Sequence, residues 1–336
     1  MHSSPNNPTS PIFSTHEECV SKLKSSQLVV LPTETVYGLA ASALDEFAVS
    51  KIFKLKGRPS TNPLIVHVAD LEMGSTVACI NDNAVKIAKS FWPGPVTVVL
   101  PKKDIIPQLV SAGLSTVGIR QPAQKDFLAI IKSANLPIAA PSANKSNQLS
   151  PTSPDQVIDG LGKECPSVLD GGLCEHGIES TVIDLSQKNP VILRPGPVSK
   201  AEIEKCLNIE VKECAEINSI DSVARRSPGL SRKHYSPNTP LLVKNCFNDL
   251  TQIIYNKESD LVICHDEKEL EYFKKIDIKA LSLSDDGDCS TIARNLYKTL
   301  HTADKMKKKR LITHFLENAQ GLAKSINDRL NRASIE

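Results

Sequence analysis

Short β-branched apolar runs alternate with amphipathic stretches through the first two hundred residues, and this rhythm limits the chain to a layered α/β architecture. Residues 27–31 (QLVVL), 64–68 (LIVHV), 96–100 (VTVVL), 116–120 (TVGIR), 137–140, 167–170, 181–185 and 191–193 read as strands. Between the first two, residues 45–56 predict a helix. Asp45 is placed to cap it, and Ala48, Val49, Ile52, Phe53 and Leu55 form its apolar stripe. Gly57 and Pro59 stop it, leaving Lys56 and Arg58 at its exit. Residues 83–91 predict another helix, broken at Trp92-Pro93-Gly94-Pro95, and residues 201–207 one more. The expectation is a twisted mixed sheet with flanking helices.

The rhythm dissolves between about 208 and 240 and then resumes on a smaller scale. Strands are expected at 241–243, 261–264, 280–283 and 311–313, with helices near 248–256, 266–274, 288–301 and 320–332. Four β/α units predict a small Rossmann-like α/β domain, although no Gly-x-Gly-x-x-Gly supports dinucleotide binding there. With 336 residues available, two domains are expected. The division is a frayed leader at 1–13, a catalytic domain at 14–207, a linker or lid at 208–240 and a C-terminal domain at 241–336.

Charge narrows the function classes. A formal net charge of +2 and 4% aromatics do not suit a nucleic-acid coat or a base-stacking surface. Nine cysteines without a Cys-x-x-Cys pair read as free thiols in a reducing, cytoplasmic compartment. No run reaches membrane-spanning length. The polar start MHSSPNNPTSPIF lacks the marks of a secretory or transit peptide.

Two polar segments stand out, Lys56-Gly57-Arg58-Pro59 and Ser142-Ala143-Asn144, which offer cations, a hydroxyl and an amide suited to a phosphate chain. Neither is built for burial on residue type, so both are expected at the rim of a cleft. Arg120 and Arg194 each close a strand, where an open α/β sheet presents its ligand crevice. Residues 32–39 read equally well as a polar pocket or as an ordinary turn. His67, inside LIVHV, reads more readily as a satisfied core group than as a ligand. The basic run 305–310 reads as a solvated helix end rather than an RNA contact. Hydrolase-triad, zincin and P-loop signatures are missing from the sequence.

In order along the chain, PTETVYGLA (32–40), KGRPSTNPLIVHV (56–68), FWPGPVTVVL (91–100), VGIRQP (117–122), PSANKSNQLSPT (141–152), GIESTVIDL (177–185) and ILRPGPVS (192–199) resemble the YrdC-type threonylcarbamoyl-AMP synthases in their long two-domain form. SPGLSRKHYSP (227–237) is similar to that form's interdomain loop, while of the C-terminal domain only GLAKSINDRLNRA (321–333) carries a likeness. Lys145-Ser146-Asn147 departs from the family's usual Ser-Gly after Asn144.

The resemblance implies a nucleotidyltransferase that makes L-threonylcarbamoyladenylate from L-threonine, bicarbonate and Mg2+-bound ATP, releasing pyrophosphate. It implies that a separate transferase complex then uses the product to modify tRNA beside the anticodon. A direct tRNA contact is left open, and so are the metal's ligands. By the family pattern Lys56, Arg58, Ser142 and Asn144 form the catalytic cluster. Arg58, Asn62, Thr116, Ser142, Ser150, Arg194 and Tyr235 would contact ATP. Thr35, His67, Arg120, Ala140 (through its backbone) and Ser180 would hold threonine, with Arg120 on the carboxylate. The segment 227–237 would fold over the cleft as a lid.

Two other readings compete: an RNA-binding module without catalysis, and carbamoyl transfer in hydrogenase maturation. The second calls for acylphosphatase-like and zinc-finger segments that this sequence lacks.

Overall fold

The computed structural model describes residues 13–214, 235–317 and 319–334. These form a ten-stranded mixed sheet and a separate four-stranded parallel sheet. In the large sheet the strands are β1 (Val29–Leu31), β2 (Gly38–Ser42), β3 (Ile65–His67), β4 (Val96–Pro101), β5 (Thr116–Arg120), β6 (Ile138–Ala139), β7 (Ser167–Val168), β8 (Thr181–Asp184), β9 (Val191–Arg194) and β10 (Lys212–Glu213). Their spatial order is β10-β9-β8-β4-β5-β3-β6-β2-β1-β7. Within it β3 runs parallel to β5, and β6 runs antiparallel to both β2 and β3.

Local signals in the sequence become local structure. The helix Glu46–Lys56 starts where the Asp45 side chain accepts the Ala48 amide at 3.0 Å, and it ends at Gly57 in the left-handed region. The expected strands appear, shortened by a residue or two at several ends. Two strands were not expected, β2 and β10. β2 is built from Gly-Leu-Ala-Ala-Ser, none of them β-branched, and is held between β1 and β6 with every residue buried. Tertiary pairing overrides its low propensity. At the other end, β10 pairs with β9, so the large sheet extends into the stretch read as linker. Residues 1–12 and 215–234, the leader and most of that linker, lie outside the described residues.

The small sheet comprises β11 (Leu241–Lys244), β12 (Asp260–Cys264), β13 (Ala280–Ser282) and β14 (Arg310–His314), in the order β11-β14-β12-β13. The helix expected at 248–256 is shorter, Phe247–Thr251, and the helix expected at 288–301 is longer, Cys289–Lys305.

The two sheets share a core. Val36, Leu149 and Ile178 of the large domain and Tyr235 pack with Ile292, Leu296, Tyr297, Ile326 and Leu330 of the small one. The backbones come close at Gly177, which sits at φ +72° against the helix Cys289–Lys305. A Cβ there would lie 2.5 Å from both Arg294 Cα and Arg294 O. Only glycine lets the backbones approach so nearly. Arg294 Nε also donates to Glu175 O at 2.8 Å, so the small domain is anchored where the large one carries its polar loops.

Candidate active site

β3 exposes alternate residues to one face, and Pro63, Ile65 and His67 line a partly open cleft. The register pairs His67 with Arg120 at the carboxyl end of β3 and β5. Thr35 joins them at that end, Ala140 lies beside Ile65, Arg58 and Ser142 stand toward the Pro63 end, and Ser180, Arg194, Glu179 and Tyr235 form the opposite wall. The five residues assigned by resemblance to threonine all line this cleft, and so do Arg58, Ser142, Arg194 and Tyr235 from the ATP set.

The expectation that the two signature loops stay unburied is overturned. Lys56 is 2% exposed, Asn144 5% and Arg58 8%. Backbone oxygens make this burial tolerable. The Lys56 ammonium donates to the carbonyls of Ser142 and Asn144, and it does not line the cleft. Burial, with Arg58 and Lys145 nearby, holds Lys56 well below the usual lysine range. Lys56 thus pins the 142–144 loop against the helix that ends at Gly57.

Arg58 donates to Asn62 O at 3.1 Å and Pro63 O at 2.9 Å, and no carboxylate pairs with it among the described residues. Burial pushes its guanidinium down to about 10. An unneutralised buried cation facing a cleft is an anion site.

Arg120 is held differently. Its Nη2 lies 2.6 Å from Glu34 Oε1, its Nη1 donates to Thr35 Oγ1 at 3.0 Å, and its Nε donates to Gly94 O at 3.1 Å. Burial works to raise the Glu34 carboxyl, but the Arg120 charge prevails and holds it below the ordinary range. His67 is 3% exposed, and its Nδ1 has no partner in the structure. Burial and then the Arg120 charge push it down to about 3, so it presents a neutral ring. Arg194 donates twice to Ser180 O and once to Ser180 Oγ, and Ser180 Oγ also meets Thr97 Oγ1 at 2.9 Å.

Besides Lys56, four other assigned residues do not line the cleft. Asn144 lies on a second, interdomain cavity with Gln148, His301 and Asp304. Ser150 Oγ donates to Glu179 Oε1 at 2.6 Å. Asn62 is half-buried beside Arg58. Thr116 sits at the amino end of β5, where alternation puts it on the Arg120 face, one strand length from that guanidinium.

Sequence reasoning missed the network behind the wall. Glu179 Oε2 accepts from Tyr297 Oη at 3.1 Å and from Arg329 Nε at 3.0 Å, both from the small domain. The Arg329 guanidinium lies 5.5 Å from the Tyr235 ring centre, and the Tyr235 and Tyr297 rings are 5.9 Å apart. The sequence's one clue was an acidic residue directly before the Ser180-Thr181 pair, on a loop ending in a strand. The small domain therefore braces the Glu179 wall from behind without lining the cleft.

Similarity to known proteins agrees with this division. A family model described as "Telomere recombination", for the Sua5/YciO/YrdC domain, matches residues 21–196. Another, described as "Threonylcarbamoyl-AMP synthase, C-terminal domain", matches residues 198–334. This chain belongs to the Sua5/YrdC family. Threonylcarbamoyl-AMP synthase from Pyrococcus abyssi is 39% identical over 93% of this chain and 92% of its own length. The Bacillus subtilis synthase is 36% identical over 94% and 92%. The crystal structure of P. abyssi Sua5 complexed with L-threonine superposes with a TM-score of 0.79 at 35% identity, covering 95% of this chain and 94% of that one.

The family-wide match bears out the two-domain α/β fold read from the sequence. Every relative named here aligns through both the large and the small domain.

Proposed function

We propose that this protein joins L-threonine, bicarbonate and ATP into L-threonylcarbamoyladenylate, with release of pyrophosphate. The observation that carries the reading is one cleft that gathers both the threonine set and buried guanidinium groups suited to phosphates, in a chain that shares both modules with threonylcarbamoyl-AMP synthases.

Thr35, His67 and Arg120 at one end, with Ala140 beside Ile65 and Ser180 on the opposite wall, offer a guanidinium for a carboxylate and hydroxyls for a small polar side chain. We assign this group to threonine. A site that hydrogen-bonds a substrate hydroxyl rejects analogues lacking it. Arg58 and Ser142, with Arg194 on the wall that also carries Ser180 and Tyr235, suit a phosphate chain, together with Asn62 beside Arg58 and Thr116 at the amino end of β5. The two carboxylates around the cleft, Glu34 and Glu179, are already paired to Arg120 and Arg329. Mg2+ therefore fits as an ion carried in on the ATP phosphates rather than one caged by the protein.

The chemistry asks little covalent work of the side chains. Threonine's amine adds to the carbon of CO2 formed from bicarbonate, giving a carbamate. A carbamate oxygen then bonds to the α-phosphorus while the bond from that phosphorus to the bridging oxygen breaks, and pyrophosphate leaves. Positioning and cationic stabilisation of the phosphoryl oxygens supply the rate. Arg58 is the best-placed group for this, because no carboxylate neutralises it. Lys56, Asn144 and Ser150 act by holding the loops that carry Ser142 and Glu179.

The product is an activated acyl donor, and we propose that a separate tRNA transferase consumes it. The nine free cysteines support a cytoplasmic setting. Among the described residues no helix is long and apolar enough to cross a membrane. The basic run near 305–310 is engaged within the chain: Lys305 pairs with Asp159, Arg310 with Asp260, and Lys308 donates to Glu258 O. It therefore lends no support to a purely RNA-binding role. The lid expected at 227–237 lies, apart from residues 235–237, outside the described residues.

The decisive assay omits each substrate in turn. Pyrophosphate and an adenylate of the expected mass should form only with threonine, bicarbonate and ATP together; pyrophosphate without threonine would refute the reading. Arg120→Ala should raise the threonine KM by about tenfold or more, as expected for losing a charged hydrogen bond. An unchanged threonine KM would move the carboxylate site elsewhere.

A further inference from the structure

The small domain carries a polar cluster that the cleft does not use. β12 and β14 are neighbours in the parallel sheet, and their carboxyl ends place His265 and His314 side by side, with ring centres 4.0 Å apart. Glu269, in the first turn of the helix Glu267–Lys275, projects to the same point. One ligand atom from each of the three lies within 4.8 Å of the others. Both histidines are 4% exposed. Ligands of open α/β sheets bind at this edge.

The hydrogen bonds leave a position that calls for a cation. His314 Nδ1 lies 2.9 Å from Phe315 O, a carbonyl, so that nitrogen must carry a proton and donate. In the neutral ring the remaining nitrogen, Nε2, holds a lone pair. It nevertheless faces Glu269 Oε1 at 2.9 Å, one acceptor against another. His265 Nε2, also buried, has no partner in the structure. Glu269 Oε2 is fixed separately, accepting the His265 backbone amide at 2.7 Å. Two imidazole nitrogens and a carboxylate oxygen thus converge on one point, and one of them, His265 Nε2, has no partner there.

We propose that His265, Glu269 and His314 bind a divalent transition cation of the zinc class, with an open position for water. A metal-bound histidine characteristically donates its other ring N–H to a backbone carbonyl, which is what His314 does toward Phe315. Two neutral imidazoles and one carboxylate are the hard-to-borderline donors that zinc accepts. Zinc ligands sit about 2.0–2.1 Å from the ion and hence about 3.4 Å from one another. The present separations, from 2.9 Å between His314 Nε2 and Glu269 Oε1 up to at most 4.8 Å, bracket this spacing, so small side-chain rotations suffice to reach it.

The test titrates the full-length, metal-stripped protein with Zn2+ by calorimetry, and with Co2+ by visible absorption. The site predicts about one tight equivalent per chain and a Co2+ spectrum with d–d bands but no thiolate charge-transfer band. The second feature separates it from the nine cysteines. His265→Gln and His314→Gln should weaken binding by about a hundredfold or more, exceeding the effect of losing an outer-shell partner. Glu269→Gln, which keeps the same shape, should weaken binding while circular dichroism and adenylate synthesis stay at the wild-type level. The proposal is overturned by the absence of a stoichiometric site, by a thiolate band, or by variants that bind as the wild type does. Any of these results would leave His314 as a plain imidazolium ion-paired to Glu269.

Discussion

The Glu179–Arg329 pair joins the small domain to the cleft wall, and breaking it should separate the unfolding of the two domains. Arg329 is 1% exposed and Glu179 6%. Replacing Arg329 with Met keeps similar bulk but removes the ion-pair partner of the buried Glu179 carboxylate, which keeps the Ser150 and Tyr297 hydroxyls, a backbone hydrogen bond and the nearby Arg194 charge. Removing one member of a buried pair typically costs about 3–5 kcal/mol. The two remaining hydroxyl donors argue for the lower end, about 3 kcal/mol. Glu179→Gln removes the charge and keeps an acceptor for one of Ser150 and Tyr297, which donate to different carboxylate oxygens, while the other hydroxyl can turn to accept from the new amide. In the double variant the penalty should therefore fall well short of the sum, with a coupling of about 2 kcal/mol. Urea unfolding reads this out. The single tryptophan, Trp92, reports the large domain by fluorescence, whereas far-ultraviolet dichroism reports both. In the wild type the two curves should coincide. In Arg329→Met the dichroism should begin to fall first, as the small domain comes away. Two curves that still coincide, together with additive single costs, would show that the pair does not couple the domains.

Gly177→Ala forces a methyl against the Arg294 backbone at a positive φ and should cost about 3 kcal/mol; a thermal midpoint within error of wild type would mean the interdomain contact is looser than described. Lys56→Met strands the Ser142 and Asn144 carbonyls and should cost about 2–3 kcal/mol while raising the ATP KM. An unmoved denaturation midpoint would remove Lys56 as the pin of that loop. His67 stays neutral in the folded chain down to about 3, whereas an unfolded histidine protonates near 6.5. Its contribution is therefore fully present above about 6.5 and declines by up to about 1.4 kcal/mol per pH unit as pH falls toward 3. His67→Gln should flatten the stability–pH slope between pH 6.5 and 5, and a slope as steep as wild type would assign the titration to another group.

What the sequence reveals and what it conceals divides by range. Asp45 and Gly57 bound the helix Glu46–Lys56 through contacts three residues away or less, and both ends are readable from composition. β2 is not readable, because what makes GLAAS a strand is its two partners, β1 and β6, and no property of the five residues. Charge behaves like β2. Residue type alone puts Lys56 and Arg58 outside the core, yet Lys56 is buried by carbonyls 86 and 88 positions along the chain. Glu34 is matched to Arg120 across the sheet, and Glu179 to Arg329 across 150 residues. The motifs therefore identify which residues gather around the cleft, since cations, hydroxyls and amides are recognisable by type. They do not say which of these groups faces a ligand and which is spent on a partner. Arg58, met only by carbonyls, is available to an anion, whereas Lys56, of the same sign and two positions away, is not. The long-range pairing that separates those two roles also makes the C-terminal domain a brace behind the cleft, through Arg329 and Tyr297, despite its weak motif signature.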